Sequence, residues 1–440
     1  MNWKKIAEPN IRYTRESQKR TNFERDHDRI IFSSSFKRLN QKTQVFPMPK
    51  SYFVHNRMTH SIETSCIGRS LGKIAANFLI KDRDVKASVN FSENVGTIVE
   101  TACLAHDIGN PPFGHSGEDA ISNFFMKNKE IICKFSKKQQ EDFLNFEGNA
   151  QGFRLLSKQN SDLDVTNNIL IAFTKYPKES IVENYTNEEL KKRKDQKKFG
   201  FFQNERKIFE EIAVHFELIK LSISDEIAYA RHPLAYLVEA ADDICYLILD
   251  LEDGVRLKLV HLEEMLNILN PMIKKYDNDK CFQSKYEGIP TIDGKAAYLR
   301  SKIINILIEE VIEIFKKNIN EIENGYFSST LMKKIEFKEE IIKLEEVSYE
   351  KLYRHRPVLE IEAAGFSVVS GLLDYIFQIR NDPSNKQNKK LKNLFPSCVT
   401  IEDSSYESIL EVTDYISGMT DWYAIDLYNK IRGVTLPEIY

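Results

Sequence analysis

The residues best suited to chemistry in this sequence of 440 residues are histidines and carboxylates around position 106. His106 and Asp107 stand side by side, directly after an apolar run at residues 98–105. The glycines and prolines of residues 109–114 must end a helix there and turn the backbone sharply. Such a turn can aim both side chains at one ion. Imidazole plus carboxylate, without a thiolate, suits Mn²⁺, Mg²⁺, Fe or Zn²⁺.

Two further residues could complete a metal site. His60 begins an earlier helical segment and could supply a third ligand, and Asp242 lies in the middle of a later one. A single helical histidine, or a His-Asp pair by itself, is more often structural than metal-ligating. The ordered combination of a histidine, a His-Asp pair and a downstream helical aspartate is much more specific, and it predicts a divalent metal centre.

Helical periodicity dominates the segments that would position these residues. Residues 61–80 carry one apolar stripe with a period of 3.6 residues. Ser116 is expected to cap the helix that follows the 109–114 turn. Strand candidates are few: residues 42–46 and 358–361. The expected fold is all-α, with at most a small β-hairpin. Further helices are predicted at 94–106, 117–127, 138–158, 205–223, 233–252, 297–323 and 405–431, with breaks at 176–204, 270–294 and 381–397.

Composition and charge exclude several classes of protein. The chain holds 62 Lys and Arg against 65 Asp and Glu, a net charge of −3, and is 42% hydrophobic. A collagen-like or fully disordered protein is excluded, and a dedicated polyanion binder is disfavoured. The first 43 residues are locally basic, with 11 Lys and Arg against five Asp and Glu. They predict either a solvated surface or a contact with polyphosphate or nucleic acid.

The remaining sequence indicates a cytoplasmic protein. No two of the six cysteines are closer than 30 residues, which predicts reduced, mostly buried thiols. The first six residues contain no apolar stretch of the kind found in a signal peptide. No run of apolar residues is long enough for a transmembrane helix.

The ordered motif His60…His106-Asp107…Asp242 resembles the signature of HD-domain phosphohydrolases. At finer resolution, the chain resembles bacterial deoxyguanosine triphosphate triphosphohydrolases. The resemblance implies an HD-domain helical bundle with additional helical regions: a core at 1–255, and a helical region at 256–440 that completes the nucleotide pocket and oligomer contacts. The matching stretches are 29–46, 55–72, 105–118, 146–151, 236–254 and 414–423.

This resemblance implies an activity and an active site. Such enzymes convert a deoxynucleoside triphosphate, here dGTP by preference, to a deoxynucleoside and inorganic triphosphate by water attack at the α-phosphorus. The implied metal ligands are His60, His106, Asp107 and Asp242, with Mn²⁺ or Mg²⁺ as the favoured ion. His115 is the implied catalytic acid or base and Glu118 its orienting partner. Alternatively, Glu118 simply favours a helix amino terminus.

The substrate contacts follow from the same resemblance. Arg57, Lys175 and Lys198 are candidates for the phosphates, whereas residues 191–194 are expected to be solvated surface. Tyr246 and Asp250 share a helix face with Asp242. Tyr246 could block a 2′-hydroxyl, or merely pack in the core, and Asp250 could accept a hydrogen bond from the 3′-hydroxyl. Gln44 is a further candidate for the sugar, and Asn149 for the pocket. Base-recognition residues cannot be placed.

Two other functions remain open at this point. One is a different HD-type phosphohydrolase acting on a 5′-nucleotide, a cyclic nucleotide or guanosine tetraphosphate. The other is a regulator that binds single-stranded nucleic acid and uses the metal only structurally. The resemblance also implies a homo-oligomer, commonly a hexamer, with single-stranded DNA or a dNTP as an effector.

Overall fold

The computed structural model describes residues 2–11, 20–46, 54–83, 85, 89–158, 162–276, 281–400 and 403–435. Regular structure in these residues is helical, and β-pairing is confined to four isolated bridges, such as that between Thr43 and Asn56. The all-α prediction is therefore confirmed. Part of the locally basic amino end, residues 12–19, lies outside the described residues.

Nineteen α-helices are found in the described residues. They are α1 (Trp3–Ala7), α2 (Asn22–Phe32), α3 (Ser34–Arg38), α4 (Arg57–Asp82), α5 (Phe91–Ala105), α6 (His115–Lys127), α7 (Lys137–Leu144), α8 (Gly148–Ser157), α9 (Asn167–Phe173), α10 (Arg206–His215), α11 (Pro233–Arg256), α12 (Leu262–Tyr276), α13 (Phe282–Glu287), α14 (Ile292–Glu323), α15 (Lys338–Ser348), α16 (Arg356–Asn381), α17 (Lys386–Lys392), α18 (Tyr406–Ser417) and α19 (Asp421–Arg432). A π-helical turn (Tyr349–Tyr353) follows α15, and short 3₁₀ turns include Glu188–Lys192, Lys194–Gln196 and Met332–Lys334.

Several predicted boundaries are wrong for identifiable reasons. Residues 358–361 lie inside α16, because a short apolar run has no periodicity that separates strand from helix. Residues 42–46 form only a bridge at Thr43. Ser116 does not cap α6: the helix begins at His115 after Gly114, and the Ser116 hydroxyl donates to the Glu362 carbonyl at 2.6 Å.

Two predicted long helices are each divided in two. Residues 138–158 form α7 and α8, and residues 405–431 form α18 and α19. The second break follows Gly418, with Thr420 capping α19 through a hydrogen bond from the Tyr423 amide. The predicted breaks at 270–294 and 381–397 also contain the short helices α13 and α17.

The larger hydrophobic core forms where α4, α5 and α11 pack together, with α2, α9 and α14 around them. Helices α4 and α5 approach very closely. A Cβ at Gly68 would lie 2.4 Å from the Cys103 sulfur, so a side chain there would push the two helices apart. This packing brings the start of α4, the end of α5 and the middle of α11 to one place. These are the positions of His60, His106 and Asp242.

A second core forms around α6, α16, α18 and α19. It joins the segment after the His-Asp pair to the carboxyl-terminal part of the chain. At Gly365 in α16, a Cβ would lie 2.3 Å from the Phe113 ring, so the helix backbone itself supports the turn before His115.

The six cysteines are all free, but three of them are exposed, so the expectation of mostly buried thiols is wrong. Within the described part of the chain, no helix combines the length and the apolar character needed to cross a bilayer.

Candidate active site

Three predicted metal ligands converge at the junction of α4, α5 and α11. One donor atom from each of His60, His106 and Asp242 lies within 4.8 Å of the others. The Asp242 Oδ1 atom lies 3.1 Å from His60 Nε2 and 3.3 Å from His106 Nε2. All three side chains are buried or nearly so. This spacing allows one small cation to contact all three.

The hydrogen bonding and the electrostatic surroundings of His106 also favour a bound cation. Its Nδ1 atom donates to the Cys103 carbonyl at 2.7 Å, which leaves Nε2 facing Asp242. That Nε2 atom is buried and accepts or donates no hydrogen bond among the described residues. Burial lowers the pKa of His106, but the charges of Asp107 and Asp242 outweigh burial and raise it to about 9. The negative field that favours a proton here would equally favour a metal ion.

The fourth predicted ligand, Asp107, lies at the edge of this cluster. Its Oδ1 atom is 3.5 Å from His106 Nε2 and accepts a 2.5 Å hydrogen bond from the Asn110 amide. Its Oδ2 atom accepts from the Arg57 guanidinium at 2.8 Å. Arg57 holds the pKa of Asp107 below its ordinary value despite burial. The Asp107 carboxylate is therefore ionised and fixed beside the cluster.

His115 and Glu118 form a dyad one helical turn apart at the start of α6. The His115 Nδ1 atom lies 2.6 Å from Glu118 Oε2, and Glu118 Oε1 accepts from the Gly148 amide at 2.7 Å. Gly114, with φ +58°, provides the sharp entry into the helix. Hydrogen bonding to Glu118 raises the pKa of His115. Because Glu118 occupies Nδ1, the Nε2 atom is the one available to a ligand.

These groups open into a cavity of about 1060 Å³. His106, Asp107 and Asp242 line it together with His115 and Glu118. The His115 side chain is 86% exposed to solvent, whereas that of Glu118 is 10% exposed. The cavity volume suits a ligand the size of a nucleotide. Metal ligands and a candidate proton carrier therefore face one common chamber.

Each predicted phosphate contact lines this cavity and is paired with a carboxylate. Arg57 pairs with Asp107. Lys175 Nζ lies 3.6 Å from Glu239 Oε1, and Lys198 Nζ lies 2.9 Å from Glu147 Oε2. The charge of Glu239 raises the pKa of Lys175 despite burial, and that of Glu147 does the same for Lys198. All three cations remain charged at neutral pH.

Comparisons with protein families and with individual known proteins cover nearly the whole chain. Residues 57–254 match the HD domain, and residues 332–430 match the phosphohydrolase-associated domain. A deoxyguanosinetriphosphate triphosphohydrolase-like protein of Synechocystis sp. is 38% identical over 432 residues, 95% of each chain. One from Listeria monocytogenes is 33% identical over 99% of each chain. The deoxyguanosinetriphosphate triphosphohydrolase of Salmonella arizonae is 30% identical over 94% of each chain.

The chain belongs to the deoxyguanosinetriphosphate triphosphohydrolase family of HD-domain proteins. It is therefore a hydrolase with an HD phosphohydrolase domain, and HD domains bind divalent metals. The HD match begins at Arg57, the first residue of α4, and ends near the end of α11. It includes every residue of the metal cluster and of the dyad.

Two of the three predicted sugar contacts of this family member line the cavity. Tyr246 lines the cavity and its ring centroid is 4.8 Å from that of His60. Gln44 also lines it, and the amide oxygen and nitrogen of Gln44 have no hydrogen-bond partner among the described residues. Asp250 does not line the cavity: it is buried and accepts a 2.7 Å hydrogen bond from the Tyr353 hydroxyl, which does.

Four cavity residues were not found from the sequence. Glu147 receives hydrogen bonds from Lys198 and Asn149, and Glu239 contacts Lys175. Glu147 stands beside Asn149 in the motif at 146–151, so that motif held the available signal. Tyr353 and Ser348 belong to the 332–362 segment, which contributes many of the residues that line the cavity. Their distance in sequence from the HD motif left no local signal for them.

Proposed function

We propose that the chain hydrolyses deoxynucleoside triphosphates to a deoxynucleoside and inorganic triphosphate, with dGTP as the preferred substrate. One observation carries this proposal: His106, Asp107 and Asp242, the His115–Glu118 dyad and three cations line the same nucleotide-sized cavity. The names of the relatives from Synechocystis, Listeria and Salmonella support the substrate class.

His60, His106, Asp107 and Asp242 would hold the cation, with Mn²⁺ or Mg²⁺ favoured over Fe or Zn²⁺. When bound, a divalent cation supplies Lewis-acid polarisation of the α-phosphoryl group. The chain's own part begins with binding. Arg57, Lys175 and Lys198 would hold the triphosphate, and the carboxylate beside each cation keeps its side chain in one orientation before the substrate arrives.

His115 would then manage the proton at the scissile P–O bond. Glu118 favours the imidazolium form of His115, so we assign His115 as the general acid that protonates the departing 5′-oxygen through Nε2. Water attacks the α-phosphorus, and the bond from that phosphorus to the 5′-oxygen breaks. The deoxynucleoside leaves with the proton from His115, and the triphosphate keeps the oxygen of the water. The proton that the water releases restores the imidazolium form of His115.

At the nucleoside end, Tyr246 would close the space that a 2′-hydroxyl needs, and Gln44 offers an unpaired amide to the sugar. Asp250 would reach the 3′-hydroxyl only by releasing or sharing its bond with Tyr353. We assign Asn149 to the phosphate side, because it donates a hydrogen bond to Glu147, the carboxylate that pairs with Lys198. The wall at 332–362 supports a role for the carboxyl-terminal region in completing the nucleotide pocket.

The test is product identification with each of the four dNTPs in the presence of Mn²⁺, in water enriched in ¹⁸O. We expect deoxynucleoside plus inorganic triphosphate, with the ¹⁸O in the triphosphate and the highest kcat/KM for dGTP. Release of inorganic monophosphate would contradict the proposal and favour another phosphohydrolase. No turnover of any nucleotide, together with tight binding of single-stranded DNA, would favour the regulatory protein.

Variants separate the proposed roles. Asp107→Ala is expected to lose both turnover and bound metal, whereas His115→Ala should lose turnover and keep its metal. Metal content is measured by elemental analysis of the purified proteins. Retention of the full metal content in the Asp107 variant would overturn its assignment as a ligand.

A further inference from the structure

A second cavity of about 420 Å³ adjoins the candidate active site. Its wall carries Lys192, Lys197, Lys198 and Lys333 and the hydroxyl residues 328–330, and we call it the lysine annex. Lys198 and Lys333 also line the larger cavity, so the two spaces share a wall. Among the described residues no carboxylate lines the annex, whereas several line the larger cavity.

Two lysines of the annex, Lys197 and Lys333, differ from Arg57, Lys175 and Lys198 in their partners. Lys197 and Lys333 are exposed, and neither ammonium group forms an ion pair or hydrogen bond within the described part of the chain. Lys192 pairs with Glu189 at 2.9 Å, but both side chains are about three-quarters exposed, so water screens this pair. An incoming anion can therefore contact at least two lysines without displacing a carboxylate.

The annex is built on a buried anchor rather than on a freely moving loop. Arg193, 6% exposed, forms hydrogen bonds of 2.9 and 2.8 Å with the two carboxylate oxygens of Asp195. The same guanidinium donates to the carbonyls of Gly325 and Phe327, at 2.5 and 3.2 Å. The expectation that residues 191–194 are all solvated surface is therefore wrong for Arg193. This anchor ties the segment bearing Lys192 and Lys197 to the segment bearing residues 328–333.

The chemistry of this wall selects its ligand. Lysine ammonium groups and hydroxyls are donors for phosphate oxygens. Binding of single-stranded nucleic acid also requires aromatic rings on which bases stack. Among the described residues, Tyr176 is the one aromatic residue that lines the annex, and the Arg231 guanidinium lies 5.7 Å from its ring centroid. An inorganic oligophosphate chain matches these features better than a nucleic acid does.

We propose that the lysine annex binds a free linear oligophosphate and takes up the inorganic triphosphate product as it leaves the reaction cavity. This proposal rests on the proposed function for the origin of the triphosphate. The substrate's own terminal phosphate has the same chemistry, but it is held where Arg57, Lys175 and Lys198 line the larger cavity. The annex lies beyond Lys198, on the other side of the shared wall.

The test uses the double variant Lys197→Gln/Lys333→Gln and the matched control Lys191→Gln/Lys334→Gln. The control removes the same charge from the same two segments, at residues that do not line the annex. Binding of sodium tripolyphosphate to the metal-loaded enzymes is measured by calorimetry at fixed free Mn²⁺. Its inhibition constant is measured against dGTP.

We expect the annex variant to bind tripolyphosphate roughly tenfold more weakly, as for the loss of two partly screened charge-assisted hydrogen bonds. Its KM for dGTP should rise by a clearly smaller factor, because only Lys333 of the two also lines the larger cavity, and the control should match the unmodified chain. Equal affinities in the variant and the control would overturn the proposal. So would a parallel rise of KM and of the inhibition constant, which would assign the annex to the substrate's own phosphates.

Binding of oligothymidylate, a single-stranded DNA, is measured on the same variants to test the nucleic-acid alternative. Loss of oligothymidylate binding in the annex variant, with unchanged tripolyphosphate binding, would overturn the oligophosphate assignment. The calorimetry does not depend on turnover. If no dNTP is hydrolysed but tripolyphosphate binding depends on Lys197 and Lys333, the oligophosphate site stands and the proposed function fails. If dNTPs are hydrolysed but tripolyphosphate binding does not depend on Lys197 and Lys333, the annex proposal fails and the proposed function stands.

Discussion

One buried carboxylate in α19, Asp421, is expected to hold two parts of the active site in place. Its Oδ1 atom accepts from the Phe113 amide at 3.0 Å, and its Oδ2 atom accepts from the Thr43 amide at 2.8 Å. Asp421 is 1% exposed. Thr43 precedes Gln44, and Phe113 belongs to the turn that leads into His115. One side chain from the carboxyl-terminal part of the chain thus supports both segments.

The size of the effect follows from these two bonds. A hydrogen bond to a charged group contributes about 1.5–3 kcal/mol, so Asp421→Ala removes roughly 3–6 kcal/mol of local stabilisation before relaxation. Phe113 has φ 63°, a left-handed conformation that costs a non-glycine residue roughly 1–2 kcal/mol. Since the lost bond is at least as large as this strain, the turn should relax in the variant. A displacement of about 1 Å at His115 would lower kcat roughly 100-fold.

Hydrogen exchange measured by mass spectrometry tests the local effect, and kcat for dGTP tests the catalytic one. We expect the peptides that contain the amides of Thr43 and Phe113 to exchange roughly 10–150-fold faster in Asp421→Ala. The matched control is Asp426→Ala on the same helix. Asp426 forms an exposed pair with Lys430 at 2.6 Å, and such a pair contributes about 0.5 kcal/mol or less.

Asp421→Ala must destabilise the segments around Thr43 and Phe113 without unfolding the rest of the protein. Peptides from α4 and α5 should keep their protection, and Asp421→Asn, which retains one acceptor oxygen, should be intermediate. If Asp421→Ala matches the Asp426 control in both the exchange of the two peptides and kcat, the positioning role is refuted.

Two further predictions concern pH. In Glu118→Gln, the pKa of His115 should fall, because hydrogen bonding to Glu118 is what raises it. We expect kcat to drop roughly 10–100-fold. The decline of kcat at alkaline pH should also begin at a lower pH than in the unmodified chain. A kcat–pH profile checks this, and an unshifted alkaline limb would contradict it. Burial raises the pKa of Asp142 from 3.8 to about 7. The protonated carboxyl therefore adds to the free energy of unfolding below about pH 4, and this contribution should be lost as the pH rises to about 7. The loss amounts to about 4 kcal/mol. Asp142→Asn, which still accepts from the Tyr406 hydroxyl, should lack this loss, and parallel Tm–pH curves from pH 4 to 8 would contradict it.

The elements that carry the metal cluster could be predicted because their signals are local. Apolar periodicity placed α4, α5 and α11, and the glycines and prolines of 109–114 placed the turn after the His-Asp pair. The same periodicity could not place the breaks inside 138–158 and 405–431. Both halves of each segment keep an apolar face, and only tertiary packing shows that the chain turns between them.

The long-range parts of the site could not be predicted, because no spacing in the sequence relates them. Asp421 accepts hydrogen bonds from residues more than 300 positions away in the sequence. The Tyr353 hydroxyl donates to Asp250, which lies in the much earlier helix α11. The predicted division at residue 255 and the homo-oligomer stay predictions. The second hydrophobic core joins residues 113–146 to residues 366–431, which shows how far contacts in this chain run from sequence neighbours.

Charge pairing explains why the composition disfavoured a polyanion binder although the cavity suits a triphosphate. Arg57, Lys175 and Lys198 each lie against a carboxylate, so a net charge near zero conceals three charged residues that are candidates for phosphate binding. The pairing reduces the attraction for stray anions and fixes each side chain before binding, which lowers the entropy lost when a substrate is held. A substrate must therefore offer several phosphates in the right places to outcompete the carboxylates. The annex, which no carboxylate lines among the described residues, has the opposite character: it should bind a released triphosphate in several orientations, as an exit requires.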